Sequence, residues 1–523
     1  MQQIPLIAFS LLLFVAASVI LGRLWVGIVN ATFSHTQTIK SIEKGKPYIP
    51  SVKVILGTIF GTFILFFLSV RNGLHAVFST EAQIGIPILA IICIVAAAIF
   101  LTFEQRFHRA REYVFSIIIG SGCALILIGL YRMLFLYDYV DPFFVALAVL
   151  CSVVVWRLLF GPWALHVKTT VLGMFTLWVV VFLLWNDTSD IRFARLLAGV
   201  VASVPALLWC LFFLKYHVQR ISMVLLMFFA GMLSTAPILF YDKLVRSGSE
   251  MQFFFFRVVP ENFNATSGAF IGGNVAGLGG VQTTLIATFV SFMLVGVVEE
   301  ASKFWVMRKS GRRFFSSVDD AMQLSIIVAI GFAFAENIIN PSYFTGFVKA
   351  YLVTGDPLWG MFIGNVIGRA VLTNMVHIVS TGVMGYFFGL ALFAGPVLRE
   401  AHAKGKFFLV ADGLHSILGL PRKAVFRRQM FLTGLFFAIV LHGLFNFLVT
   451  FPDLLPGNPK TIGALLGKAD SFYGGIPLLL LPSLFYVVGG CWLLTELFYH
   501  KENMKERGRI VTTDTFVKES LVA

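Results

Sequence analysis

What limits this chain most is a series of apolar stretches, each long enough for the roughly 20 residues a helix needs to cross about 30 Å of hydrocarbon. They fall near 5–30, 53–70, 83–103, 114–136, 142–160, 163–185, 193–214, 220–241, 282–307, 322–340, 361–395, 429–450 and 475–499, with short charged or Gly/Pro-rich breaks between them. Backbone inside lipid must satisfy its own hydrogen bonds, so such stretches become helices. The expected fold is all-α: a polytopic transmembrane helix bundle of about 13 spans. Composition excludes an ordinary soluble domain, with 58% of 523 residues hydrophobic and only 13% charged. The first stretch has no basic residues before it and no clear small-residue cleavage site, so a retained helix is expected there rather than a signal peptide.

The charge pattern sets an orientation. Lys and Arg concentrate on alternate breaks, most densely in "RKSGRR" (308–313), "PRKAVFRR" (421–428) and "KENMKERGR" (501–509). By the positive-inside rule these are cytoplasmic, which puts the N-terminus outside and the C-terminus in the cytoplasm. The net charge of +14 is then mostly topology, and without a soluble basic domain it does not point to nucleic acid. Arg23, Arg132, Arg157 and Lys168 lie near expected helix ends, where a long side chain can snorkel. Cys93, Cys123, Cys151, Cys210 and Cys491 all fall in apolar stretches without a CxxC pair and read as packing residues. Residues 242–281 form the longest outside connection; its "GAFIGGNVAGLGG" does not sit between a strand and a helix as a phosphate loop does, and its "NAT" at Asn264 to Thr266 is a formal glycosylation triplet.

Charge at membrane depth is the exception that needs a reason, since an ionisable side chain at the bilayer centre costs about 2.5–3.5 kcal/mol on insertion scales. Of 26 acidic residues only Glu299, Glu300 and Glu336 fall well inside spans, with Glu496 near a helix end, and of ten histidines only His377 and His442 do. These five buried positions lie on four consecutive helices. In "GVVEEASKFWVM", Lys303 is four residues after Glu299 and three after Glu300, within reach of either carboxylate one turn away. One glutamate can then be paired and the other left free for chemistry; the competing reading is a salt bridge that only packs helices. Arg369, Thr373, His377 and Thr381 step by four as a polar stripe, and His442 and Asn446 share a face of the next helix. The small residues Ala329, Gly331, Ala333 and Ala335 allow close approach of a neighbouring helix.

Four short motifs recur in order on these helices: "EEASK" fits EExxK, "FAFAE" fits FxxxE, "HIVSTG" fits a His followed by a small residue and Gly, and "HGLFN" fits HxxxN. Together they resemble the PrsW family of intramembrane proteases, related to the CAAX prenyl-proteases and more remotely to the Aph subunit of gamma-secretase. The motifs cover about residues 290–450. The resemblance implies a site built from Glu299, Glu300, Lys303, Phe332, Glu336, His377, His442 and Asn446, with Asp320 matching an Asp before the second motif. The span and charge pattern, with the motif region as the core, suggests an organisation: 1–241 an N-terminal membrane scaffold of about eight helices, which lies outside the resemblance, 242–281 an outside Gly/Phe-rich loop, 282–450 the PrsW-like protease core, 451–499 a final loop and helix, and 500–523 a basic cytoplasmic tail.

The expected activity is hydrolysis of peptide bonds in membrane-associated proteins, in which Glu299 or Glu300 is the general base, Lys303 its charge partner, and His377, His442 and Asn446 act near the carbonyl and leaving amine. Glu336 would orient a histidine or share the water. A metal-free glutamate mechanism is favoured, because the carboxylate and His residues come from separate helices without HExxH spacing. The rival is a divalent metal such as zinc on Glu336, His377 and His442. An ion-coupled transporter using the buried Glu and His residues, and a scaffold without activity, are the other classes. Reporter fusions after Arg313 and Arg428 are expected to read cytoplasmic and one near Asn264 external; a cytoplasmic reading at Asn264 would overturn the span order.

Overall fold

The computed structural model describes residues 108–507 apart from 136–141, 186–187, 216–218, 240–250, 254–255, 259–279, 341–342, 357–358, 404, 456, 458, 468–473 and 479. The expected spans at 5–30, 53–70 and 83–103, with Arg23 and Cys93, the Asn264 triplet and the last residues of the basic tail lie outside the described residues. The chain divides into two compact units, Met1–Phe182 and Leu183–Ala523.

In the first unit, α1 (His108–Phe135), α2 (Pro142–Leu159) and α3 (Leu165–Trp185) are described. Phe115, Ile119 and Cys123 on α1 and Val167, Val171 and Leu172 on α3 are buried, and the Phe115 ring meets Trp163 edge-on with centroids 5.7 Å apart. Arg132 lies 5.0 Å over the Phe182 ring. Lys168 lies in the first turn of α3, near the helix end as expected, and is buried.

The second unit holds α4 (Ser189–Leu214), α5 (Ile221–Leu233), α6 (Gly280–Gly311), α7 (Val318–Ile339), α8 (Phe344–Thr354), a π-helical segment (Phe362–Thr373) running into α9 (Asn374–Leu392), the short α10 (Ala394–Ala403) and α11 (Leu409–Leu418), α12 (Arg422–Leu454) and α13 (Gly490–Arg507). Among the described residues a small antiparallel hairpin, Met251–Phe253 with Phe256–Val258, lies within the stretch expected to be loop. Eight helices among the described residues are long and apolar enough to cross a membrane. Each of the ten expected spans from 114 onward overlaps a helix among the described residues. α6 carries Glu299, Glu300 and Lys303 in its second half.

The centre of this unit is α7, which packs against α9, α5 and α4, while α12 packs against α9 and α6. Every residue of α7 from Asp319 to Ala333 is buried, as expected of a helix that is apolar all round and surrounded by others. Its start is built in sequence: the Ser317 hydroxyl accepts from the Asp320 backbone N–H at 3.1 Å while Asp320 Oδ2 accepts from the Ser317 and Ser316 N–H groups at 3.1 and 2.8 Å. Asp320 Oδ1 also accepts from Gln219 Nε2 at 2.6 Å. Ser317 is therefore the N-cap and Asp320 its partner in a capping box. The helix stops at Asn340, whose backbone is extended (φ −70°, ψ 120°) ahead of Pro341, as a residue before proline prefers.

Two glycines bring α5 and α7 together. A Cβ on Gly331 would sit 2.2 Å from the Phe228 carbonyl oxygen, and one on Gly231 2.1 Å from that of Val328. The two backbones touch, which is the close approach that small residues permit in helix pairs. Gly331→Leu is expected to destabilise the protein by roughly 1–3 kcal/mol or more, because the obstacle is backbone and cannot rotate away. Thermal unfolding of the detergent-solubilised protein checks this, and an unchanged midpoint would contradict the contact.

Candidate active site

Three charged residues of one α6 turn start the site. Lys303 Nζ lies 2.7 Å from Glu300 Oε1 and 3.5 Å from Glu299 Oε2, and neither Lys303 nor Glu300 has any exposed side-chain surface. The ammonium also stands 4.0 Å from the centroid of the Phe332 ring on α7, a cation–π contact in a dry setting. Phe332, four residues before Glu336, thus forms a wall of the site.

Glu300 is saturated with donors. Its Oε1 faces Lys303 Nζ, His442 Nδ1 at 2.7 Å and Ser380 Oγ at 3.2 Å, and its Oε2 accepts from Thr381 Oγ1 at 2.9 Å. A buried carboxylate is tolerated only when so satisfied. Glu299 is its opposite: Oε2 is buried and has no hydrogen-bond partner. It looks instead toward His442 Nε2 at 3.4 Å and His377 Nδ1 at 4.0 Å.

The hydrogen bonds assign the imidazole protons. Lys303 Nζ sits 3.0 Å from His377 Nδ1, and an ammonium only donates, so Nδ1 is the acceptor and the proton rests on Nε2, which is 3.1 Å from Glu336 Oε2. His442 places Nδ1 on the Glu300 carboxylate, which leaves its Nε2 bare. Each histidine is thus held by a carboxylate through one nitrogen and turns the other toward Glu299. The two rings meet nearly edge to face with centroids 4.9 Å apart.

Glu336 lies on the outer side of this cluster, with 25% of its side chain exposed against 8% for Glu299. Its Oε1 is 3.0 Å from Arg369 Nη2. Arg369 Nε in turn donates to Asn337 Oδ1 at 2.8 Å, and the guanidinium carbon lies 3.2 Å from the Tyr343 ring centroid. The regular four-residue stripe expected from Arg369 to Thr381 does not hold throughout: Arg369 and Thr373 are in the π-helical segment, whose wider turn breaks the stacking, and only His377 and Thr381 share an α-helical face.

The structure therefore brings together Glu299, Glu300, Lys303, Glu336, His377 and His442. Asn446 is half-buried one turn beyond His442 and, among the described residues, makes no hydrogen bond with this network. Ser380, Thr381 and Arg369 also hold the cluster in place. The signal for the first two was in "HIVSTG", where the hydroxyls directly follow the histidine turn.

The atoms that converge as possible metal donors are one each from Glu299, His377 and His442, all within 4.8 Å of one another. Glu336, the third donor expected from sequence, lies on the other nitrogen of His377. The fit to a divalent cation is good in two respects. Glu299 Oε2 is an orphaned buried acceptor, and carboxylates behind the two imidazoles match the outer partners that usually orient metal-binding histidines.

Residues 219–466 match the family described as PrsW family intramembrane metalloprotease. No curated protein and no solved structure matches the chain. The PrsW match is wider than the motif region at 290–450 and takes in α5, the helix whose backbone touches α7 at Gly331. It ends beyond α12 and so contains every residue of the cluster.

The two adjacent glutamates are expected to differ in what they contribute to stability. Glu300→Ala leaves Lys303 buried without its nearest counter-charge and is expected to cost about 3–5 kcal/mol. Glu299→Ala removes an oxygen that accepts no hydrogen bond and should cost clearly less. Unfolding midpoints of the two variants decide; equal losses would contradict the division between them.

Proposed function

We propose that this protein is an intramembrane endopeptidase that hydrolyses peptide bonds of membrane-associated proteins, with Glu299 as the working carboxylate. The observation that carries the reading is the contrast on α6: Glu300 is consumed by four donors, whereas Glu299 Oε2 is buried, accepts no hydrogen bond and is faced by the bare Nε2 of His442 and by His377 Nδ1, which accepts from Lys303. The PrsW match supports the class of reaction.

In this mechanism Glu299 takes a proton from water as the water oxygen adds to the scissile carbonyl carbon. His442 Nε2, 3.4 Å from that carboxylate, receives the proton and passes it to the leaving amine as the C–N bond breaks. Glu300 on His442 Nδ1 stabilises the imidazolium formed on the way, and Lys303 supplies fixed positive charge near the developing oxyanion. Glu336 and Arg369 hold His377 in its orientation. A second reading keeps the same residues and adds a divalent ion on Glu299, His377 and His442, which when bound supplies Lewis-acid polarisation of the carbonyl.

The chain is an integral membrane protein. Its charge pattern favours a cytoplasmic C-terminus, and its first 241 residues read best as the scaffold that carries the core in the bilayer. The substrate class is a protein whose cleaved segment enters that bilayer.

The test is cleavage of candidate single-span membrane proteins by the purified full chain. Glu299→Gln should lower the rate by about 100-fold or more, the span of general-base effects, while the protein still accumulates. Undiminished cleavage by that variant would remove Glu299 from the mechanism. Chelation that silences the wild type, with recovery on added zinc, would select the metal-assisted form, and indifference to chelator the carboxylate form.

A further inference from the structure

Lys303 stands where a cation would. Its Nζ is 3.0 Å from His377 Nδ1 and 3.5 Å from Glu299 Oε2, two of the three atoms that converge for a metal, and it is buried with its side chain closed in by Phe332. The ammonium is tethered to this place by Glu300 at 2.7 Å. A divalent ion drawn to the same donors would meet a fixed positive charge a few ångströms away, in surroundings where charges are weakly screened. His377 Nδ1 has a single lone pair in the ring plane, so it can serve the ammonium or a metal but not both.

We infer that Lys303 is a built-in competitor for the divalent-cation site of Glu299, His377 and His442, so that the lysine side chain, and not the donor set, limits how tightly the site holds a metal. Filled by the ammonium, the donors keep their spacing without an ion: Glu299 has a cation nearby, His377 an acceptor role, and neither imidazole needs to turn. Metal uptake then requires Lys303 to withdraw from His377 toward Glu300. Such a site loads only when the metal outcompetes the tether, which makes occupancy sensitive to metal supply. This rests on the cation reading of the three donors and not on whether the protein cleaves peptides.

The test reads metal affinity and leaves proteolysis aside. The full chain in detergent, stripped of metal, is titrated with zinc against a chromophoric chelator and with cobalt by its visible absorption. Lys303→Met should bind about tenfold or more tightly than the wild type, because the repelling charge and the competing donor are both gone. Lys303→Arg, which keeps the charge, should stay weak, and Lys303→Met combined with Glu299→Gln should lose the gain. Should Lys303→Met fail to accumulate with Glu300 left unpaired, Lys303→Met with Glu300→Gln removes both charges and is expected to show the same tightening. Affinity in the folded methionine variants that equals or falls below the wild type would overturn the inference, as would no uptake of either metal by any of these proteins.

Discussion

The ion pair of Lys303 with Glu300, 2.7 Å long and wholly enclosed, is the interaction on which the rest of the site depends. Two opposite charges are stable in such surroundings only if every remaining lone pair and proton finds a partner. That requirement reaches across three other helices: α12 supplies His442, α9 supplies Ser380, Thr381 and His377, and α7 supplies the Phe332 ring. Satisfying Glu300 therefore fixes the His442 tautomer, and satisfying Lys303 fixes that of His377. Glu299, left over when these bonds are made, keeps a buried Oε2 that accepts no hydrogen bond.

Packing makes this network possible. α7 runs buried through the middle of the second unit, and glycine contacts with α5 bring the two backbones together. Close helix approach of this kind narrows the space in which side chains from α6, α9 and α12 must meet. Polar bonds then select one arrangement among those that the apolar surfaces permit. The exposed edge of the cluster is formed by Glu336 and Arg369, with 25% and 15% of their side chains accessible, which is the side from which the buried carboxylate and imidazoles can be approached.

Much of this was legible in the sequence because charge is rare in apolar stretches and its few positions stand out. Glu299, Glu300, Lys303, Glu336, His377 and His442 were all chosen on that ground, and they share one cluster. Helix periodicity also indicated that Lys303 reaches both glutamates. It was silent on which glutamate would be saturated, since that depends on Ser380, Thr381 and His442 arriving from other helices. The pairing of Arg369 with Glu336 was hidden for a different reason. A π-helical segment changes the face on which Arg369 lies, and regular four-residue spacing does not anticipate it. Asn446 shares a face with His442 by periodicity, and among the described residues no hydrogen bond ties it to the cluster.

The central claim is that a buried carboxylate and its imidazoles direct water onto a peptide bond, and the most direct measurement follows the oxygen atom. The purified wild-type chain is incubated with a single-span membrane protein in oxygen-18 water, and the fragments are analysed by mass spectrometry. The account predicts cleavage at a site within or beside the apolar segment, with the heavy oxygen in the new C-terminal carboxylate of the upstream fragment. Intact substrate across a panel of such proteins, from a folded chain that retains the Lys303–Glu300 pair, would contradict it.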